Sequence, residues 1–380
     1  MKIRLKDAFD LQMGKTPARN TPAYWNGGYK WVSIADIGSA GKYITATKEG
    51  ITDKAITESG IRAVPAHTVI MSFKLSIGKT AITSEKMYTN EAIMAFVDNG
   101  TYDIDTNYLY RLCCGTRWTE GTNKAVMGLT LNKATLSEKR ISLPEITEQR
   151  NIAAKFDALD NVIEKTQAEL SSLDQLVKSR FVELFKACKD YKRLEEHAAL
   201  ITKGASPKWQ GVDYCEKGTL FVTSENVREC YLDLSKRKYL DDKINEIQPR
   251  SILKRNDILI NIVGASIGRA AVYDCDELAN INQAVALVRV DFSRINQTYL
   301  MTFLNSQQAI EMYGKMKKGG ARDNLSLQNI ADLKIPVAPM ERQKEFAAFV
   351  SEVDKSKLAV KQSLEKLETL KKSLMQQYFG

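Results

Sequence analysis

Glycines two apart, adjacent prolines, CxxC pairs and histidine clusters are all missing from these 380 residues, and each absence removes a chemistry. Without a GxG core the chain lacks the phosphate-gripping turn of a Rossmann-type cofactor site. Without neighbouring prolines it lacks the Asn/Asp-Pro-Pro-aromatic motif with which amino-methyltransferases hold a flipped base, so it is not expected to methylate DNA by itself. Two histidines, His67 and His197, give hydrolytic triads and multi-histidine metal sites almost nothing to work with, and each reads as a surface or core-edge residue. The six cysteines follow no repeated spacing, which argues for reduced thiols over a disulfide framework or zinc cluster. No apolar run approaches the ~18 residues of a membrane span. The start, Met1 to Asp7, lacks the apolar segment of a signal peptide, so a cytoplasmic location is expected. The triplets Gly14-Lys15-Thr16 and Gly78-Lys79-Thr80 end like a P-loop, but Phe9 and Phe73 stand where its first glycine is needed. Ordinary lysine-bearing turns account for both. Asp241-Asp242-Lys243 resembles the tail of a nuclease motif without the Pro-Asp pair before it, and reads as a solvated turn.

What is present is a soluble composition, 44% hydrophobic and 27% charged with a net charge of +9, over enough chain for two or three domains. It is also doubled. Ser76-Ile77-Gly78-Lys79 returns 190 residues later as Ser266-Ile267-Gly268-Arg269. Near the same offset Gly14 to Pro17 matches Gly204 to Pro207, Trp31-Val32-Ser33 matches Phe221-Val222-Thr223, and Ile37 matches Val227. Asn90-Glu91-Ala92 matches Asn282-Gln283-Ala284, Asn107-Tyr108-Leu109 matches Thr298-Tyr299-Leu300, and Leu129-Thr130 matches Leu325-Ser326. One such match is easy to find by chance; a collinear series identifies two copies of one unit.

Each copy opens with a globular stretch of short β-like runs, among them Thr68 to Phe73, Ala92 to Val97, Ile258 to Val263 and Gln283 to Val290. A helical pattern from Tyr299 to Gln307 makes the domain mixed α+β. A proline hinge follows, Leu143 to Gln149 in one copy and Ile335 to Gln343 in the other. Beyond each hinge lie roughly 38 residues free of glycine and proline, about 57 Å of helix at the α-helical rise. Ile152, Phe156, Leu159, Ile163, Thr166, Leu170, Leu173 and Val177 step by four and three, the spacing of a coiled-coil seam. The second tract gives Phe346, Val350, Val353, Val360, Leu364, Leu367, Leu374 and Tyr378, with Lys357 and Lys371 interrupting the stripe. A lone apolar stripe must be covered, and pairing the two helices antiparallel is the economical solution. Packing of each helix on its own domain is the alternative. The expected fold class is thus α+β: two similar mixed α/β domains separated by two long helices in an antiparallel coiled coil, with pseudo-two-fold symmetry. The divisions fall at 1–145 and 188–338 for the domains and at 146–187 and 339–380 for the helices.

Two domains held apart by a rod form a caliper, and the positive charge suggests that it measures a polyanion; duplex DNA would convert a fixed rod into a fixed spacer. Lys315, Lys317, Lys318 and Arg322 cluster around Gly319-Gly320 beside Asn324. Arg117, Trp118, Asn123 and Lys124 occupy the matching region of the first copy. Lysine and arginine suit phosphates, while arginine and asparagine also match the edges of guanine and adenine. With the turn residues Lys15, Arg19, Lys74, Lys79, Lys203, Lys208 and Arg269, these form the candidate DNA-binding set. Solvated surface loops are the bland alternative. The first copy's loop is shorter, 21 residues from Tyr108 to Leu129 against 26 from Tyr299 to Leu325.

The order of globular unit, proline hinge, Thr147-Glu148-Gln149-Arg150 or Glu341-Arg342-Gln343-Lys344, long heptad helix, then the whole again, resembles the specificity subunit of type I restriction–modification enzymes. The SIG(K/R) tracts, the Leu-(Ser/Thr)-Leu runs at 129–131 and 325–327, and Pro-Glu-Ile-Thr-Glu-Gln-Arg at 144–150 add to the likeness. The resemblance covers essentially the full chain. It implies two target recognition domains reading the halves of a bipartite double-stranded DNA sequence, and helices that set the spacer and dock two methyltransferase subunits. It also implies restriction subunits joining the assembly, S-adenosylmethionine, ATP and Mg²⁺ on those partners, and no cofactor, metal or catalytic residue on this chain. A coiled-coil interaction scaffold that does not read DNA is the competing reading.

Overall fold

The computed structural model describes residues 1–74, 76–118, 131–316 and 324–380. Packing divides the chain into a discontinuous unit, Met1–Gln167 with Gln362–Gly380, and a continuous one, Ala168–Lys361.

The first unit is organised by two sheets. The larger runs in the order Phe9–Met13, Ile93–Asp98, Val69–Ser72, Thr80–Thr83, Tyr43–Ile44; the smaller sets Trp25–Val32 between Glu49–Ile51 and Tyr88–Thr89. Val69–Ser72 is buried along its whole length because both of its faces are covered, so it shows no polar alternation. The alternation reappears as a choice of core. Val69 and Met71 join the cluster beneath the helices, whereas Ile70 joins one with Val32, Ile37 and Ile44.

The second unit repeats this plan. Its larger sheet runs Ala198–Lys203, Val285–Val290, Ile258–Asn261, Ala270–Val272, which is the first unit's order without the fifth strand. Ile258 and Ile260 face one core and Leu259 the other. In the smaller sheets Trp31 pairs in parallel with Tyr88, and Leu220 to Val222 pair in parallel with Ala279 to Ile281. A parallel pair at equivalent places in both units is a detailed coincidence of topology, and it carries the duplication from sequence into structure.

The four β-like runs are strands, Val69–Ser72, Ile93–Asp98, Ile258–Asn261 and Val285–Val290, and the helical pattern at Tyr299 is helix Gln297–Leu304. The corresponding helix of the first unit is Thr106–Gly115. In the second unit a separate helix, Gln307–Met316, follows Gln297–Leu304. Asn305 makes the break useful: its side chain accepts from the Ala270 N–H at 3.0 Å and donates to the Ala270 carbonyl at 3.0 Å, clamping a sheet strand to the helix end.

The long helices span Ile146–Phe185 and Met340–Phe379. Each begins with the same fastening. The buried Gln149 accepts from the Asp105 N–H at 2.9 Å and donates to the carbonyls of Asp103 (3.0 Å) and Pro144 (2.9 Å). Gln343, equally buried, accepts from the Asn296 N–H at 2.8 Å and donates to the Ala338 carbonyl at 2.6 Å. Asp105 and Asn296 are the N-caps of the helices at 106 and 297, so the glutamine of each hinge motif sews the long helix to its domain. Gln149→Leu strands a buried N–H and is expected to cost about 1–3 kcal/mol. Denaturant unfolding of the single variant checks this, with the matched Gln343→Leu giving a similar loss.

In both units the two helices run antiparallel. In the first, Phe156 of one helix meets Tyr378 and Phe379 of the other at 6.2 and 5.9 Å between ring centroids. In the second, Phe181 and Phe185 meet Phe346 at 5.4 and 5.6 Å. Every position of the expected seam is buried or half-buried. The two seam lysines prove to be neutralised across the pair. Lys371 reaches Asp160 at 2.6 Å within the first unit, and Lys357 reaches Asp174 at 2.7 Å within the second. Slipping either helix by one heptad separates both pairs, so the lysines fix register at some cost in apolar contact.

Each domain is closed by the far end of a long helix. Phe379 packs on Tyr108 at 5.7 Å, and Phe185, its counterpart in the repeat, packs on Tyr299 at 4.6 Å. Both tyrosine hydroxyls donate to the hinge strand, Tyr108 to the Ser142 carbonyl at 2.9 Å and Tyr299 to the Pro336 carbonyl at 2.7 Å. Burial pushes the Tyr108 phenol up to about 12, which keeps it a donor at any physiological pH.

Candidate nucleic-acid interface

Strand register decides where the candidate residues gather. In the first unit Met13 pairs with Met94, Ser72 with Ile93 and Met71 with Thr80. The loops leaving residues 13 and 72 and those entering 80 and 93 therefore share one end of the sheet. In the second unit Lys203 pairs with Ala286, Asn261 with Val285 and Ile260 with Ala270, which collects the equivalent loops at the equivalent end.

These loops are stitched together by backbone contacts that explain the repeated motifs. A Cβ on Gly14 would lie 2.2 Å from the Thr89 and Asn90 carbonyls, and one on Gly204 would lie 1.7 Å from that of Ile281, so only glycine permits the approach. On the other flank the Phe73 N–H donates to the Ala92 carbonyl at 3.0 Å and the Ile262 N–H to the Ala284 carbonyl at 2.9 Å. Gly78 and Gly268 hold left-handed turns with φ of 90° and 88°. Their N–H groups donate to the carbonyls of Ser72 and Asn261, both at 2.9 Å. A Cβ on Gly268 would meet the Tyr313 ring at 2.5 Å, and one on Gly78 would meet Trp118 at 3.5 Å. The SIG tract in each unit thus rests on an aromatic residue of the segment that leads into the basic loop. Val263 forms a β-bridge with Asn324, and the Leu325 N–H donates to the Ile262 carbonyl at 2.9 Å.

One sheet end therefore brings together Lys15, Arg19, Lys74 and Lys79 in the first unit, and Lys203, Lys208, Arg269 and Asn324 in the second, where Lys315 lies on the helix that carries Tyr313. Among the described residues Lys74, Lys79, Lys203, Lys208, Arg269 and Lys315 have no carboxylate partner. Lys15 and Arg19 are engaged: Lys15 donates to the Ser59 carbonyl, and Arg19 bonds Glu49 at 3.0 Å while stacking on Trp25 at 3.9 Å. Arg117 stands apart, lining a cleft with Ile163, Lys371, Lys372 and Gln376 next to the long helices. Asn123, Lys124, Lys317, Lys318 and Arg322 lie outside the described residues.

Sequence reasoning missed a second charged cluster. Arg111, with a side chain 5% exposed, bonds Asp157 at 2.5 Å and Asp160 at 2.6 Å, and Lys42 reaches Asp157 at 2.8 Å. Burial works against both aspartates, yet the hydrogen bonds from Lys42 and Arg111 to Asp157, and from Lys371 and Arg111 to Asp160, hold their carboxyls below the usual range. The network is structural, joining Lys42, just ahead of the strand Tyr43–Ile44, and the helix Thr106–Gly115 to the first long helix. No hydrophobic periodicity advertises it, because its members come from four separate segments of the chain.

The sequence profile of the type I restriction–modification DNA specificity domain matches residues 1–175 and again residues 192–370. The MjaIX specificity subunit of Methanocaldococcus jannaschii is 27% identical over 48% of this chain and 42% of its own length. The Escherichia coli EcoBI specificity subunit is 26% identical over 66% of this chain and 59% of its own. The matches thus span about half the length of these two relatives, whereas the MjaVIII specificity subunit of M. jannaschii is 22% identical over 98% of this chain and 90% of its own. Among solved structures, one of a type I restriction–modification system, determined for its complex assembly and conformational transition, aligns with a TM-score of 0.68 at 17% identity. It covers 100% of this chain and 97% of that one. The specificity subunit from M. genitalium aligns at 0.51 with 15% identity, over 100% and 96% of the two chains; both likenesses speak to the fold. With the family's domain present twice on the duplicated sheet plan, the chain belongs to the type I restriction–modification DNA specificity family.

Proposed function

We propose that this chain is the non-catalytic sequence-recognition subunit of a type I restriction–modification assembly, each unit reading one half of a bipartite duplex target. The observation that carries this reading is the repeated sheet end, where lysines and an arginine without carboxylate partners gather on loops. Cations left unneutralised by the fold are available to phosphates, and such contacts set register while neighbouring side chains read base edges. The long helices set the spacer and dock two methyltransferase subunits. Apolar side chains exposed outside the seam, Val162, Leu176 and Val182 on the first helix and Leu358 and Leu370 on the second, suit that docking. S-adenosylmethionine, ATP and Mg²⁺ belong to the methyltransferase and restriction partners, in the cytoplasm.

Exchanging residues 190–335 for the corresponding unit of a relative tests the reading. In cells that also express the methyltransferase, sequencing of modified adenines is expected to show one half of the methylated site changed and the other retained. A change in both halves, or in neither, rejects the assignment of one half-site to each unit. A salt-independent affinity for duplex DNA favours the scaffold reading instead.

A further inference from the structure

Trp209 is 84% exposed, more than any other large apolar side chain among the described residues. It lies in the short 3₁₀ turn Pro207–Gln210, directly after the Gly204 loop, at the sheet end that holds Lys203, Lys208 and Arg269. Its indole N–H has no partner among the described residues. Leaving so large an apolar ring in water forgoes the burial that such side chains usually gain. The Pro207 carbonyl accepts from the Val212 N–H at 3.1 Å and the left-handed Gly211 ends the turn, so the ring is presented from a braced loop. Arg19 occupies the corresponding place of the first unit, 190 residues earlier, where it is stacked on Trp25 and bonded to Glu49. At one structural position, then, one unit has an engaged arginine and the other a bare indole flanked by free lysines.

We propose that Trp209 is a specificity-determining contact of the second unit, its ring packing against base edges of the half-site while Lys203, Lys208 and Arg269 hold the flanking phosphates. The occupant is duplex DNA because the ring is surrounded by unpaired positive charge, which suits a polyanion and disfavours a basic or purely apolar protein surface. Strand Ala198–Lys203, which leads into the Trp209 turn, and strand Ala270–Val272, which Arg269 enters, are separated by two strands, about 14 Å at the usual strand spacing and comparable to the ~12 Å width of a major groove. The inference rests on the DNA-reading role proposed above.

The chain, co-purified with its methyltransferase, is titrated with a duplex carrying a site taken from the methylated genome. Acrylamide quenching, read as the difference between the complex and its Trp209→Phe variant, isolates Trp209 from the half-buried Trp25, the buried Trp31 and Trp118 and any tryptophan of the methyltransferase. Binding is expected to protect that emission. Trp209→Phe should remove the protected component and keep the ring contact. Trp209→Ala should weaken the cognate duplex roughly 10- to 100-fold, with an unchanged salt slope, and relax the methylated sequence only in the half-site read by the second unit. Quenching that persists in the bound complex, or an alanine variant with unaltered affinity and methylated sequence, overturns the proposal while the DNA-reading role stands. Failure of the unaltered complex to bind any duplex rejects that role and the inference with it.

Discussion

Phe346→Ala is expected to remove about 3–5 kcal/mol from the stability of the second unit, the range for deleting a buried phenyl ring from a packed core. Phe346 is fully buried and sits among Phe181, Phe185 and Ile335, where the start of one long helix meets the end of the other. A cavity there loosens two helices and a sheet together, and no single neighbour can move to fill it. Chemical denaturation followed by far-UV circular dichroism checks the loss. Leu358→Ala provides the contrast. Leu358 lies on the same helix but is 58% exposed, so its removal is expected to change stability by less than about 0.5 kcal/mol. Equal effects of the two substitutions would refute the antiparallel packing at that end.

Replacing Lys203, Lys208 and Arg269 together by alanine is expected to flatten the dependence of log affinity on log salt by nearly 3, about 0.9 for each phosphate no longer neutralised. At physiological salt the affinity for duplex DNA should fall roughly 100-fold, each charge-assisted hydrogen bond contributing on the order of 1 kcal/mol. Because none of the three side chains has a partner among the described residues, unfolding of the variant should match that of the parent within about 0.5 kcal/mol. Salt titration by fluorescence anisotropy on two unrelated duplexes measures slope and affinity together. A slope unchanged by the triple substitution removes this sheet end from the DNA surface.

Much of this arrangement was legible in the amino-acid order. Gly78 and Gly268 mark the same left-handed turn, Gly14 and Gly204 the same close approach, and Gln149 and Gln343 the same fastening; backbone geometry admits few substitutes at such places, so they repeat visibly. The heptad stripes predicted the helix pair because burial along a helix has a fixed period. Less legible were features that depend on two distant segments. Lys357 and Lys371 read as interruptions of the stripe, since the aspartates that neutralise them lie on the other helix. Arg111 gave no signal, its partners being supplied by another element. The break between Gln297–Leu304 and Gln307–Met316 could not be read either, because the Asn305 bonds that hold it run to Ala270 on a distant segment. Trp209 passed unnoticed because exposure belongs to the folded molecule, and its counterpart Arg19 drew attention only by its charge.

The placement of Phe379 on Tyr108 has a consequence for synthesis. The first unit comprises Met1–Gln167 and Gln362–Gly380, so the segment that completes it is translated after the whole of the second unit. The second unit, being continuous, has its full complement of residues as soon as Lys361 clears the ribosome. The domain made first is therefore finished last, and until then the nascent chain must carry an uncovered aromatic pocket around Tyr108 and Phe156, a natural client for a holdase.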